Sequence, residues 1–217
     1  SFSEIILIIG SLLAGLPLPI LATQILWINL VADGLPNIAM TLEPGEPEIM
    51  QDKPRKKTDS ILNKEMKILI FIIGVLTDIV PFIFFVYLLS LAGLENLDYV
   101  RTVMFAVIGV SSLMYIFSVR SLRHSIFTKN FFSNKYLIGA VIVSFFILIV
   151  PIYTPFLQPI FKTVSLGGRE WFIIVSLGLV KLIFIEIAKY YFIVKNKTDH
   201  KKQSPQASPK KLIPLNV

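Results

Sequence analysis

Cysteine is absent from the 217 residues, which excludes a disulfide framework, cysteine-ligated zinc or iron–sulfur centres, and a thiol nucleophile. Charge is scarce as well: Asp, Glu, Lys and Arg together make up 16% of the chain. Those charges gather in a few stretches. The two histidines, His124 and His200, both lie in basic polar surroundings, so no Ser/His/Asp grouping can be assembled, and neither a glycine-rich phosphate loop nor an internal repeat is present. Hydrolytic chemistry is therefore not expected in this chain, and no residue is a candidate catalyst. What remains is apolar, with 54% hydrophobic residues against the roughly 45–50% usual in soluble domains. The composition predicts an all-α integral membrane protein.

Six apolar segments stand out, at 5–16, 20–40, 68–92, 103–119, 137–152 and 171–194. They predict a bundle of about six transmembrane helices, over residues 1–16, 20–41, 66–92, 101–119, 135–152 and 170–195. A spanning helix needs about 20 residues to cross roughly 30 Å of hydrocarbon, and the first segment is too short for that. The chain starts at Ser1 without a basic stretch before Ile5, unlike a secretory signal. The expectation is a first helix cut short inside the membrane. Residues 196–217, rich in Lys, Ser, Pro and Gln, predict a basic, disordered tail with an affinity for anionic lipid.

Orientation follows from the basic residues, because cytoplasmic flanks of membrane helices carry the Lys/Arg excess. All of the 21 Lys and Arg except Arg101, Lys162, Arg169 and Lys181 fall between the second and third segments, between the fourth and fifth, or from the end of the sixth onward. The polar loop at 43–67 and the C-terminus are thus expected in the cytoplasm, with the plasma membrane as the default location. The net charge of +7 is explained by this topology, not by nucleic-acid binding, since the basic residues are spread over membrane flanks.

Polar groups inside the apolar segments are costly in a bilayer and so mark functional positions. Glu4 and Asp33 come first. The Leu16-Pro17-Leu18-Pro19 turn makes their helices antiparallel, and counting from it places both carboxylates roughly 18–21 Å from the outer face, level with each other. Asn29 is four residues before Asp33, on the same helical face. Pro36 has no N–H for the Ala32 carbonyl, and Gly34 eases departure from helical geometry, so the second helix is expected to unwind near Asp33-Gly34-Leu35-Pro36. Glu4, Asn29, Asp33 and the Ala32 backbone carbonyl form an all-oxygen set suited to calcium, sodium or protons, not to zinc or copper. The plainer alternative is that the carboxylates only bond neighbouring helices. Asp78, near Thr77 and Pro81, fits helix packing and a polar pathway equally well. Lys181 and Glu186, five apart, and Glu186 and Lys189, three apart, predict structural ion pairs.

The run from Gln24 to Pro36, followed by Glu43-Pro44-Gly45-Glu46-Pro47-Glu48-Ile49-Met50 and Lys53-Pro54-Arg55, resembles the sixth membrane helix and following loop of P-type cation-transporting ATPases, most closely the calcium-pump-like branch. Ser3-Glu4 resembles the end of the fifth-helix ion site, and Glu186-Ile187-Ala188-Lys189-Tyr190 is similar to the last membrane helix. The resemblance implies that the six segments are family helices five to ten, that Glu4, Asn29 and Asp33 are ion ligands, and that the 43–67 loop abuts a cytoplasmic phosphorylation domain. It further implies that ATP and magnesium act in the full-length pump on an aspartate elsewhere. Neither an Asp-Lys-Thr-Gly-Thr stretch nor the first four membrane helices occur here, so the expected partners are those missing parts, the lipid bilayer and the transported cation, with no cofactor held by this chain.

Three departures from the family pattern bear on ion number. Ser1 stands where calcium pumps often have Asn, Ala32 where they have Thr, and Ser111 or Ser112 where two-site pumps have Glu. Each loses a ligand, which predicts at most one calcium per cycle or a different monovalent ion, with Ser1, Ser111, Ser112 and Asp78 as weaker candidate ligands. The rival reading is a stand-alone membrane protein, a passive channel or a scaffold subunit. A secondary carrier would need paired interrupted helices, which are not seen.

Overall fold

Within an apolar run no water is at hand for the backbone N–H and C=O groups, so each run closes its hydrogen bonds on itself as a helix. The computed structural model describes residues 2–45, 74–121 and 131–191, together with residues 60, 67, 71 and 126. In order, the elements are α1 (Phe2–Leu13), α2 (Ala22–Leu26), a wide π turn (Trp27–Ala32), α3 (Gly34–Met40), α4 (Val75–Ala92), α5 (Leu97–Val119), α6 (Lys135–Tyr153), the short α7 (Gln158–Phe161) and α8 (Gly168–Lys189). Among the described residues there is no strand, in keeping with the all-α expectation. Three helices, Leu94–Val119, Lys135–Tyr153 and Gly168–Lys189, are long and apolar enough to cross a membrane, and two shorter apolar ones, Ser3–Leu13 and Thr77–Ala92, accompany them.

The ends of the helices are set by local chemistry. Gly15 adopts a left-handed conformation (φ 66°), which lets Leu16 N–H reach the Ser11 carbonyl at 2.8 Å and Gly15 N–H reach that of Leu12 at 3.2 Å. That pairing satisfies carbonyls at the end of α1, and it closes the helix at Leu13, before the predicted 16. Gly93 ends α4 at a positive φ of 77°, with its N–H donating to the Leu89 carbonyl at 3.0 Å. At the start of α6 the Asn134 side chain accepts the Leu137 N–H at 2.9 Å, a standard N-cap. The second predicted helix is three pieces in the structure, α2, the π turn and α3. The predicted tail, Ser1, both histidines and most of the 43–67 loop lie outside the described residues.

Helix α5 occupies the centre. Val100 and every residue from Thr102 to Ser111 are buried, as expected for a helix apolar on all sides. Helices α4, α6 and α8 pack against it, α1 packs on α4, and the π turn and α3 pack on α6. Leu7, Ile28, Phe85, Phe105, Leu148 and Ile174 meet in one apolar core. Close approach is secured by small residues: a Cβ added at Gly109 would stand 2.5 Å from a Leu148 methyl, and one at Gly178 2.8 Å from the Met114 sulfur. Leu13, Leu30, Ile38, Phe146, Phe172 and Phe184 point outward and are exposed. Such a large apolar exterior suits lipid and not water.

Candidate cation site

The site is built where α1 passes the π turn. Asp33 N–H donates to the Ile28 carbonyl, five residues back, at 2.8 Å, which is the wide-turn bond that defines the π geometry. Pro36 follows in α3 without an N–H, and Asn37 N–H goes to the Asp33 carbonyl at 3.1 Å. Ala32's carbonyl therefore lacks the usual donor four residues on. The sequence expectation of unwinding at 33–36 is thus corrected in form: the irregularity is a widened turn upstream of Asp33, and the chain resumes α geometry at Gly34. The missing Pro36 N–H leaves the Ala32 carbonyl without its α-helical donor, and the widened bond closes one residue further on, from Asp33 back to Ile28.

Glu4 is buried on α1, and both its carboxylate oxygens accept from the Asn29 amide nitrogen, at 3.1 and 3.0 Å. Asp33 Oδ2 accepts from the Ser112 hydroxyl of α5 at 2.8 Å. The structure therefore joins Asn29 to Glu4 and Ser112 to Asp33, and of the two serines it is Ser112, not Ser111, that bonds Asp33. Asn29 lies on an exposed side of its helix, so the polar set opens toward the edge of this bundle. Among the described residues no group of three or more His, Cys, Asp or Glu converges to hold a metal. Two carboxylates, an amide, a hydroxyl and a backbone carbonyl are what the site offers, a hard-oxygen set with two formal negative charges.

Asp78 meets α1 at Ser3, the chain neighbour of Glu4, and is already engaged. Its Oδ1 takes a 2.6 Å hydrogen bond from Ser3 and a 2.6 Å ion pair from the Lys181 ammonium of α8. The expected Lys181–Glu186 pair is not what forms; Glu186 pairs with Lys189 at 2.8 Å, as expected from their spacing, and also accepts from Ser118. The reason is geometric: residues five apart on an α-helix point to different faces, so Lys181 turns inward to α4 while Glu186 and Lys189 meet the end of α5. Lys189 also donates to the Ser118 and Ser121 carbonyls, at 2.8 and 3.2 Å.

A second polar cluster went unseen in the sequence. Arg120 at the end of α5 grips Glu43 through Nε (3.1 Å) and Nη2 (3.0 Å) and the Ser133 hydroxyl at 2.6 Å. Asn134 joins it, donating to the Ala39 carbonyl and to Glu43. The only signal in the sequence was Glu43 at the end of the second helix, with no hint of its partner.

Comparison with known proteins adds to this geometry. The family model described as "Cation transporting ATPase, C-terminus" matches residues 17–191, a stretch that contains Asn29, Asp33 and Ser112 and leaves out Glu4. The chain is similar to "Calcium-transporting ATPase" of Bacillus subtilis (strain 168), with 38% identity over 181 residues, 82% of this chain and 20% of that protein. It is similar also to "Calcium-transporting ATPase 1" of Bacillus cereus (32% over 203 residues, 87% of this chain, 23% of that protein). A third relative, "Calcium-transporting ATPase type 2C member 1" of Pongo abelii, is 31% identical over 189 residues, 87% of this chain and 20% of that protein. The chain spans about a fifth of the length of the curated relatives it matches.

Proposed function

This chain belongs to the cation-transporting ATPase family, as its C-terminal membrane part, and on that premise we propose that it forms the ion-binding and translocating portion of an ATP-driven calcium transporter. The observation that carries the reading is a pair of hydrogen-bonded carboxylates in otherwise apolar helices, Glu4 of α1 bonded to Asn29 and Asp33 bonded to Ser112, with Asn29 and Asp33 four residues apart at the π turn. Two formal negative charges in an oxygen-only environment match one divalent calcium. That the relatives are calcium-transporting ATPases supports both the ion and the energy source.

Calcium would replace the Asn29 amide as the positive partner of Glu4. On binding, the Asn29 side chain turns its carbonyl oxygen inward, Asp33 contributes its carboxylate, and the Ala32 carbonyl adds a backbone ligand. The energy for movement comes from phosphorylation of an aspartate in the cytoplasmic part of the longer protein, with ATP and magnesium bound there and further membrane helices covering the exposed side of Asn29. Glu43, at the start of the 43–67 loop, is tied to α5 and α6 through Arg120 and Asn134, so a push on that loop reaches the helices that hold the site. In the plasma membrane, with this loop and the C-terminus in the cytoplasm, calcium is extruded.

The test is ATP-driven calcium uptake by inside-out vesicles containing the full-length protein. Wild type is expected to accumulate calcium, and Asp33→Asn to lose uptake at least a hundredfold. Uptake that survives Asp33→Asn removes the site assignment, and a wild type that moves no calcium removes the ion.

A further inference from the structure

Ser112, Ile116 and Arg120 recur at every fourth residue of α5 and so form one stripe along it. Each meets the segment that follows the π turn. The Ser112 hydroxyl donates to Asp33 at 2.8 Å, Ile116 shares a small apolar core with Ala39 of α3 and Leu137 of α6, and the Arg120 guanidinium donates to both Glu43 oxygens, at 3.1 and 3.0 Å. Helix α3 is therefore tied to α5 at Asp33, just before its first residue, and at Glu43, just beyond its last. The second tie is closed from water, and Asn134 of α6 adds to it by donating to Glu43 and to the Ala39 carbonyl. The end of α5 that carries Arg120 is itself held, because Lys189 of α8 donates to the Ser118 and Ser121 carbonyls on either side of it. Between a fixed α5 and the π turn, α3 is the part whose placement depends on these side chains.

We propose that Arg120 is a positioning residue for the cation site: through Glu43 and α3 it fixes the height and rotation at which Asp33 meets Ser112, and so sets calcium affinity without touching the ion. This rests on the calcium reading above. Arg120 stands roughly 12 Å from Ser112 along α5, at 1.5 Å per residue, too far to act on Asp33 directly. The route is α3. A bidentate guanidinium–carboxylate pair fixes orientation as well as distance, so with Glu43 gripped the short helix can neither slide nor turn, and its other end delivers the Asp33 carboxylate to the serine. Released at Glu43, α3 keeps its apolar contact at Ile116, which is non-directional, and Asp33 then takes orientations that Ser112 does not hold. An ion pair that contributed only stability would leave calcium affinity unchanged once stability was restored by other means.

Equilibrium binding of radioactive calcium to the purified full-length protein, without ATP, distinguishes the two roles. Glu43→Gln, which keeps the shape of the side chain and removes its charge, is expected to weaken calcium binding roughly fivefold. The Glu43→Met/Arg120→Met double, which removes both buried charges together and so keeps most of the stability, is expected to weaken it to the same extent. In a Ser112→Ala background either change should add less than about twofold, because the bond through which Arg120 acts is already gone, whereas independent effects of sites this far apart would multiply in full. Wild-type calcium affinity in the Glu43→Met/Arg120→Met double overturns the inference, and so does a loss of the same size with and without Ser112. Should Glu43→Gln fail to fold, the apolar double carries the test with the same two overturning results. A wild type that binds no calcium brings down the calcium reading itself, and this inference with it.

Discussion

At Asp33 a carboxylate inside the membrane is held by a single hydroxyl, and Ser112 fixes which oxygen faces the interior of the site. Groups that orient a metal ligand in this way are worth about 10–100-fold in affinity. Ser112→Ala is therefore expected to weaken calcium binding about tenfold in the full-length protein, while Ser111→Ala, one residue away and without a bond to either carboxylate, should shift it by less than about threefold; isothermal calcium titration of the two variants checks the contrast. The carboxylates and Asn29 could be picked out in the sequence because a polar residue in an apolar run is its own signal. The serine could not, since 111 and 112 differ only in helical phase, and phase relative to Asp33 is fixed by how α5 packs. Lys181 illustrates the same limit: its charge was visible, but spacing on its own helix offered Glu186, and only α4 standing beside α8 supplied Asp78.

Among the elements, α6 depends most visibly on one residue. Asn134 caps the helix, holds the Ala39 carbonyl and contacts Glu43. Asn134→Ala is expected to cost about 1–2 kcal/mol for the cap alone, seen as a lower thermal midpoint of the purified protein. Arg120 and Glu43 form a pair whose side chains are 3% and 11% exposed. Removing one partner of such a pair costs about 3–5 kcal/mol, while replacing both by apolar groups costs far less. Arg120→Met should accordingly destabilise strongly and the Glu43→Met/Arg120→Met double should recover most of the loss, with denaturation midpoints giving the coupling. Packing between α5 and α6 is as close as Gly109 allows, and Gly109→Leu is expected to lose about 1–3 kcal/mol through overpacking. Element existence could be read from apolar runs. The π turn could not be read, because Pro36 announces a missing N–H without saying whether the chain extends or widens to accommodate it.

For the molecule as a whole, the arrangement places the Leu16-Pro17-Leu18-Pro19 turn and the Thr154-Pro155-Phe156 corner at one end of the bundle, and Glu43 with Arg120 and Asn134 at the other. On the proposed topology, the basic residues put the second end in the cytoplasm. A cysteine introduced at Phe156, which is exposed, should react in intact cells with a membrane-impermeant maleimide, and one introduced at Ser208 should react only after permeabilisation, both in a cysteine-free background that this part of the chain already provides. The reverse pattern would invert the topology.

The sequence by itself determined that this chain is a helical membrane bundle, which family it resembles, and which carboxylates interrupt the apolar runs, because hydrocarbon forbids open backbone and makes every buried charge conspicuous. Tertiary structure alone decided the pairings: Ser112 with Asp33, Asn29 with Glu4, Lys181 with Asp78, Arg120 with Glu43. Each joins residues on different helices. Spacing along one helix fixes only which face a side chain takes, and which neighbour that face meets is set by the packing of the core around α5.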